Sequence, residues 1–410
     1  MTVEARIAIE ALRAGVPNRA AVRLMGTDEP AMEQAFDERL HAVQDAIRLP
    51  GLGIAGGFGT GKSHFLGYLA EVARAQNFVV SRVVVSKETA LSEPARVFES
   101  AVRAASLPDR PDDAITGALA VLRQSRDKMA ALESAVGQAG DTLAPIFSAL
   151  LFLLQRDPLP TGFTRHLERF LSVGSIRATD VRQALRSVGP ARTFDLKLPP
   201  AAVLMEQRIR FLTTLLLAAG YSGWCLLFDE VELIGRYTSL RRALAYTWLA
   251  NWVGLEGARR FPGIVAAYAI TDDFVAAVID ERQDEARLPE RLRLKEKHEE
   301  ARLAATAIRH IAETVRTRRL RAPGVEELTR AREHLAEIYR TAYGWAPPAP
   351  ASVERTATRT MRQYIKGWIT EWDVRRLSGV VTRIVAEEIA ANYAEDDSLS
   401  APAEGMDDLE

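Results

Sequence analysis

Apolar positions recur at three- and four-residue spacing over residues 2–14 and 29–48, which predicts two amphipathic helices. Between them lies the turn-rich stretch Gly15-Val16-Pro17-Asn18-Arg19. Next come a short apolar run, Leu52-Gly53-Ile54-Ala55, a glycine-rich turn, and a helical pattern over 64–77. The stretch Phe78–Val85 is almost wholly β-branched and is the strongest strand signal in the chain. Strand, turn, helix and strand in that order make one βαβ unit of a parallel sheet.

From about Pro94 to Met205 the β-branched runs give way to Ala- and Leu-rich segments, broken by the proline-containing stretches 108–111 and 157–162. This reads as an all-helical insertion of roughly a hundred residues. The sheet pattern then resumes: helix over Val203–Ala219, buried strand over Trp224–Phe228, helix over Leu240–Gly254, buried strand over Gly263–Ile270. Beyond Asp272 every segment reads as helix, with a loop at Tyr343–Ala351. The expected divisions are 1–93 and 203–280 for the two halves of a core, 94–202 for the insertion, and 281–393 for a helical carboxy-terminal domain. A disordered acidic tail is expected over 394–410.

Length and composition narrow the class. A chain of 410 residues exceeds one ordinary core. Its 53 Lys and Arg balance 54 Asp and Glu, so a surface given over wholly to nucleic acid is not expected, although a local basic stripe is still allowed. One cysteine, Cys225, excludes a disulfide framework and any multi-thiolate metal site, and inside a buried strand it reads as core. The first residues lack the apolar segment of a secretory signal, and the longest apolar run, Phe211–Gly220, is about half a membrane span. A cytoplasmic protein without membrane contact is expected.

The chemistry begins at Gly56-Gly57-Phe58-Gly59-Thr60-Gly61-Lys62-Ser63, which fits the Walker A pattern G-x-x-x-x-G-K-[ST] between a strand and a helix. Glycines let backbone amides wrap a phosphate, and the helix that follows adds its positive dipole end. Lys62 is expected on the β- and γ-phosphates and the Ser63 hydroxyl on magnesium, with His64 also among the cofactor-binding residues. The second half is Trp224–Glu230, a buried strand ending in two acids. Asp229 is expected to hold Mg2+ through its water shell and Glu230 to orient and deprotonate the attacking water.

Further candidates are less specific. Thr271, at the tip of the following strand, is the expected sensor of the γ-phosphate, with Asp272 second and an ordinary strand-ending turn as the alternative. Glu88, in Ser86-Lys87-Glu88-Thr89, lies on the ligand edge of the sheet or in a solvated turn. Val16 and Pro17, in Val16-Pro17-Asn18-Arg19, are the expected adenine contacts. A catalytic arginine is sought among Arg282, Arg287, Arg291 and Arg293, or on a late helix carrying Arg359 and Arg362, of which Arg362 is favoured. The finger can also come from a neighbouring subunit, which admits a homo-oligomer. Arg316, Arg318, Arg319 and Arg321 form the densest basic cluster; contact with DNA, an acidic partner, or a solvated helix face would each explain it.

Together these features predict an α/β P-loop NTPase fold of the AAA+ (additional-strand, catalytic-glutamate) type: a parallel sheet flanked by helices, with a helical insertion and a helical lid. The chain resembles the P-loop ATP-binding proteins of bacteriophage-exclusion (BREX) defence systems, of the BrxD type. The resemblance lies in IEALRAGVPNRAAVRLMG, IAGGFGTGKSHFL, FVVSRVVVSKETAL, LLFDEVELIGRY and RQYIKGWITEWDVRRL. It implies an AAA+-like ATPase using ATP and Mg2+ in prokaryotic antiviral defence, beside a helicase, a methyltransferase or other system components. Two functions are expected to compete: hydrolysis that drives an assembly acting on DNA, and a slow-turnover nucleotide switch that docks a protein partner. An origin-recognition-like DNA-binding ATPase ranks below both, because no strand pair is visible near the carboxy terminus.

Overall fold

The computed structural model describes residues 2–381 except 17, 46, 48, 111–113, 139–141, 157–161, 173–177, 189–193, 260, 322 and 350–358. Pro17 and the acidic tail 394–410 therefore lie outside the described residues.

The four apolar runs form strands β1 (Leu52–Ala55), β2 (Phe78–Val84), β3 (Gly223–Asp229) and β4 (Ile264–Ile270). They pair in parallel in the order β1-β4-β3-β2. The register sets Ala55 beside Ile270 and Val84 beside Asp229, so the carboxyl ends of the strands share one edge. These runs are mainly apolar because both faces of the sheet are covered. Trp224, Leu226 and Phe228 of β3 enter one core; Cys225 and Leu227 enter the core on the opposite face. Full burial of each large side chain contributes roughly 1.5–3 kcal/mol, so both faces hold the strand in place.

Helices account for the rest. In chain order they begin with α1 (Thr2–Ala14), α2 (Arg19–Met25), α3 (Pro30–Gln44), α4 (Lys62–Ala75) and α5 (Pro94–Arg103). Then follow α6 (Ala114–Gln124), α7 (Arg126–Gln138), α8 (Pro145–Leu154), α9 (Phe163–Ser172), α10 (Ala178–Ser187) and α11 (Ala201–Ala218). The last are α12 (Ser239–Trp252), α13 (Asp284–Arg293), α14 (His298–Thr317), α15 (Val325–Tyr343) and α16 (Met361–Ser378). Helix α2 was not expected from the turn-rich sequence before it. Asn18 Oδ1 accepts from the Ala20 and Ala21 amides (2.8 and 3.4 Å) and starts it as an N-cap. Seven residues are too few for the periodicity to register.

One face of the sheet and the helices from α5 to α14 share a continuous core, in which α5 packs on β2 and α11 on β3. A second core joins α3 and α4 to the other face. A third joins α1, at the amino terminus, to α15 and α16 near the other end of the chain. A further correction concerns the stretch after α14, expected to be wholly helical. Ala55 N–H donates to Arg318 O and Leu320 N–H to Ala55 O (both 2.8 Å), a parallel bridge that sets this segment beside β1 as a rudimentary fifth strand. Its basic residues carry no β pattern, and only β1's free edge makes it extended. No helix among the described residues is long and apolar enough to cross a membrane.

Candidate functional site

At the shared strand edge, β1 runs into the loop Gly56–Ser63. The Gly56 amide donates to Ile270 O (3.1 Å), which hangs the loop from β4. Gly59 (φ 73°) and Gly61 (φ 106°) both adopt left-handed backbone, and Gly61 is the N-cap of α4. Thr60 Oγ1 donates to Gly57 O (2.9 Å) and bends the loop on itself. A Cβ at Gly56 would come within 2.6 Å of that hydroxyl, so a side chain there would open the bend.

Lys62 is buried. Its Nζ donates to Gly56 O (2.8 Å) and Gly57 O (3.1 Å) and stands 4.0 Å from Glu232 Oε1. Burial lowers its pKa, opposed by the charges of Glu232, Asp229, Asp272 and Asp273. Across from it, β3 ends at the buried Asp229. There Oδ1 accepts from the Glu230 amide (3.1 Å) and Oδ2 from Arg82 Nη2 of β2 (2.5 Å). Glu230 has φ 58°, an uncommon value for a residue with a side chain, and turns the chain into a 3-10 segment, Val231–Arg236. Its side chain reaches solvent at the rim, yet the surrounding protein and then the Asp229 charge raise its carboxyl pKa. Glu232 is 7% exposed, its Oε2 has no hydrogen-bond partner, and burial pushes its pKa up to about 7 against the pull of Lys62.

Lys62, Ser63, Asp229, Glu230, Glu232 and Arg362 line one cavity of about 290 Å³. A larger one, about 1050 Å³, opens on the other side of Gly59 and Gly61. Val16, Asn18, His64, Arg318, Arg319 and Arg321 are on its wall. Arg362 belongs to both cavities. It sits at the start of α16, where Thr360 is the N-cap and exchanges hydrogen bonds with Gln363 (2.7 and 3.4 Å). The Arg362 amide donates to Gly59 O (3.4 Å), so the late helix rests on the loop. His64 Nε2 bonds Gly26 O (2.8 Å) and ties α4 to the end of α2.

Other expected site residues are placed elsewhere. Thr271 is wholly buried and lines neither cavity. Asp272 is nearer, with Oδ1 3.8 Å from where a Gly57 Cβ would lie. Glu88 accepts from Ser86 Oγ (2.8 Å) in an exposed turn away from both cavities. Arg282 donates to Gly235 O (2.9 Å) and Arg291 to Ser239 Oγ (2.5 Å), while Arg287 and Arg293 are exposed. The Arg359 guanidinium lies over the Tyr364 ring (5.8 Å). In the basic cluster Arg316 pairs with Glu313, and Arg319 donates to Asp272 O (3.2 Å). Arg19 pairs with Glu71 (2.8 Å). Cys225 is enclosed and its thiol pKa is pushed up to about 12 by burial, as a core residue requires.

Sequence reasoning missed Arg82, Glu232 and Thr360. Arg82 had one signal, a lone charge within the apolar run FVVSRVVV, and Glu232 had another, a third acid closely following Asp229 and Glu230. Among the described residues no three His, Cys, Asp or Glu side chains gather as a metal site.

No curated protein and no solved structure matches the chain. Residues 2–125 match the family model of the BREX system ATP-binding protein BrxC/D, a stretch that holds Lys62 and Ser63 and ends before Asp229 and Glu230. Over that stretch, which carries the glycine-rich loop with its flanking strands and helices, the chain is similar to the BREX ATP-binding proteins of this family.

Proposed function

We propose that the chain binds ATP with Mg2+ and hydrolyses it as an AAA+-type ATPase, working with other BREX proteins in an antiphage assembly that acts on DNA. The observation that carries this reading is the convergence of Lys62, Ser63, Asp229 and Glu230 on one small cavity at the carboxyl edge of a parallel sheet. Strand order supports the AAA+ type, because β4 lies between the strand of the phosphate loop and the strand of the acids, and Arg318–Leu320 flanks β1.

In this reading the triphosphate lies along the loop, with adenosine in the larger cavity beside Val16 and Asn18 and the terminal phosphoryl in the smaller one. Loop amides and the α4 amino end hold the β-phosphate, and Lys62 turns from the Gly56 and Gly57 carbonyls to the β- and γ-oxygens. The Ser63 hydroxyl and the Asp229 carboxylate are oxygen donors of the kind magnesium takes, and so small a set suits a metal held mainly by phosphate and water. Bound magnesium supplies charge neutralisation at the phosphates. Glu230 orients the attacking water and takes its proton; its raised pKa makes it a stronger base than an ordinary surface carboxylate. Arg362 places a cation against the developing charge.

The test is steady-state ATP hydrolysis by wild type and Glu230→Gln, with and without duplex DNA. We expect turnover to fall at least ~100-fold in the variant, the scale of a lost general base, with ATP affinity retained. The contact of α16 with the loop favours a second reading, a slow switch whose lid position reports the nucleotide. Tight binding with no turnover by either protein would select that switch.

A further inference from the structure

Glu232 is out of character with its surroundings. A pocket for phosphate should present cations and N–H groups, as Lys62, Arg236 and Arg362 do here. Glu232 instead brings a buried carboxyl into the same cavity, with Oε1 4.0 Å from Lys62 Nζ and Oε2 without a hydrogen-bond partner. It is three residues beyond Asp229, on the 3-10 segment that the left-handed turn at Glu230 creates. The larger cavity shares Gly59, Gly61, Ser63 and Arg362 with this one but does not include Glu232.

We propose that Glu232 is the residue by which this pocket distinguishes a nucleoside triphosphate from a diphosphate, an inference that rests on the nucleotide reading above. A diphosphate lies along the loop and reaches Lys62 without filling the smaller cavity. A third phosphoryl group enters that cavity and sets added negative charge beside the buried Glu232 carboxylate. This repulsion acts on the triphosphate and spares the diphosphate, because it needs charge at the third position. Glu232 is thus a positioning residue that holds Lys62 and keeps the triphosphate from binding too tightly to be released. Asp229, Glu230, Lys62, Arg236 and Arg362 are the other charged groups lining the cavity, and the Glu232 variants leave all of them in place.

The experiment measures magnesium-dependent binding of ADP and of the β,γ-imido analogue of ATP, which resists hydrolysis, at pH 8. It compares wild type, Glu232→Gln, Glu232→Met and Glu232→Asp. Loss of the charge in Gln or Met should tighten the triphosphate analogue roughly tenfold and ADP less than about twofold, the difference expected for one partly screened charge at short range. Asp keeps the charge and should keep the wild-type ratio. Equal changes for both nucleotides, or an unchanged ratio in whichever of Gln and Met folds, would overturn the assignment of Glu232. Lys62→Ala runs alongside: if it binds both nucleotides as wild type does, the nucleotide reading itself fails, and that failure is told apart from an unchanged ratio.

Discussion

At the scale of single residues, the site is made of charges taken out of water and given specific partners. Asp229 is buried at the end of an apolar strand with both oxygens engaged, one by the Glu230 amide and one by Arg82. His310 is also buried, but beside cations. Its Nδ1 bonds the Tyr268 hydroxyl (2.9 Å), and burial, with Arg318 and Arg39 nearby, lowers its pKa to about 4. The unfolded chain binds a proton at this residue below about pH 6.5, while the folded chain does so only near pH 4. Its contribution to stability is therefore full above pH 6.5 and is lost as pH falls towards 4. We expect this group to remove up to about 3 kcal/mol across that window. Urea unfolding at several pH values should show the slope in wild type and a shallower one in His310→Gln.

At the scale of elements, the contact that matters most to the site is α16 on the phosphate loop. Gly59 has φ 73°, and a Cβ there would stand 2.6 Å from Thr360 Oγ1, the N-cap of that helix. Gly61 has φ 106° with nothing within 4 Å of its added Cβ. Alanine at either position meets backbone strain of about 1–2 kcal/mol, but only at Gly59 does it also push the helix away. Gly59→Ala should therefore lower affinity for the triphosphate analogue at least ~10-fold, the scale of one displaced Arg362 contact with phosphate, and should raise protease sensitivity near Thr360. Unchanged protease sensitivity would mean that the helix does not depend on this close approach.

At the scale of the whole molecule, three cores meet around the two cavities, and chain ends far apart in sequence share the third of them. Within the largest core a buried ion pair fastens α13 to α12. Arg242 donates to both Asp284 oxygens (2.7 and 2.9 Å) and to Tyr237 O (2.7 Å), and the Tyr246 hydroxyl completes the set (3.1 Å). Removing the arginine alone strands a carboxylate that is wholly buried. Arg242→Ala should destabilise by about 3–5 kcal/mol, whereas Arg242→Met with Asp284→Leu should lose much less. Chemical denaturation of the two variants compares them directly; similar losses would show that packing, not the pair, matters here.

Much of this was legible along the chain. β-branched and apolar runs located all four strands, because strands buried on both faces are mainly apolar, and the glycine-rich loop and paired acids stood out by residue type and spacing. Arg362 was also singled out, from its place on the late helix. What sequence could not give depends on contacts between distant segments. Arg318–Leu320 is extended only because β1 has a free edge to pair with it. Thr271 was chosen for its place at a strand tip, yet whether it lines the cavity depends on how the chain turns after that tip. Arg82 and Glu232 look like ordinary charges until folding sets one on Asp229 and the other beside Lys62. Local sequence determined the elements and the glycine-rich loop with its following lysine, since hydrogen bonding and side-chain burial within each segment are decided by its own residue pattern. Only the tertiary structure decided which charges share the pocket, since that depends on strand order, register and the close approach of helices far apart in sequence.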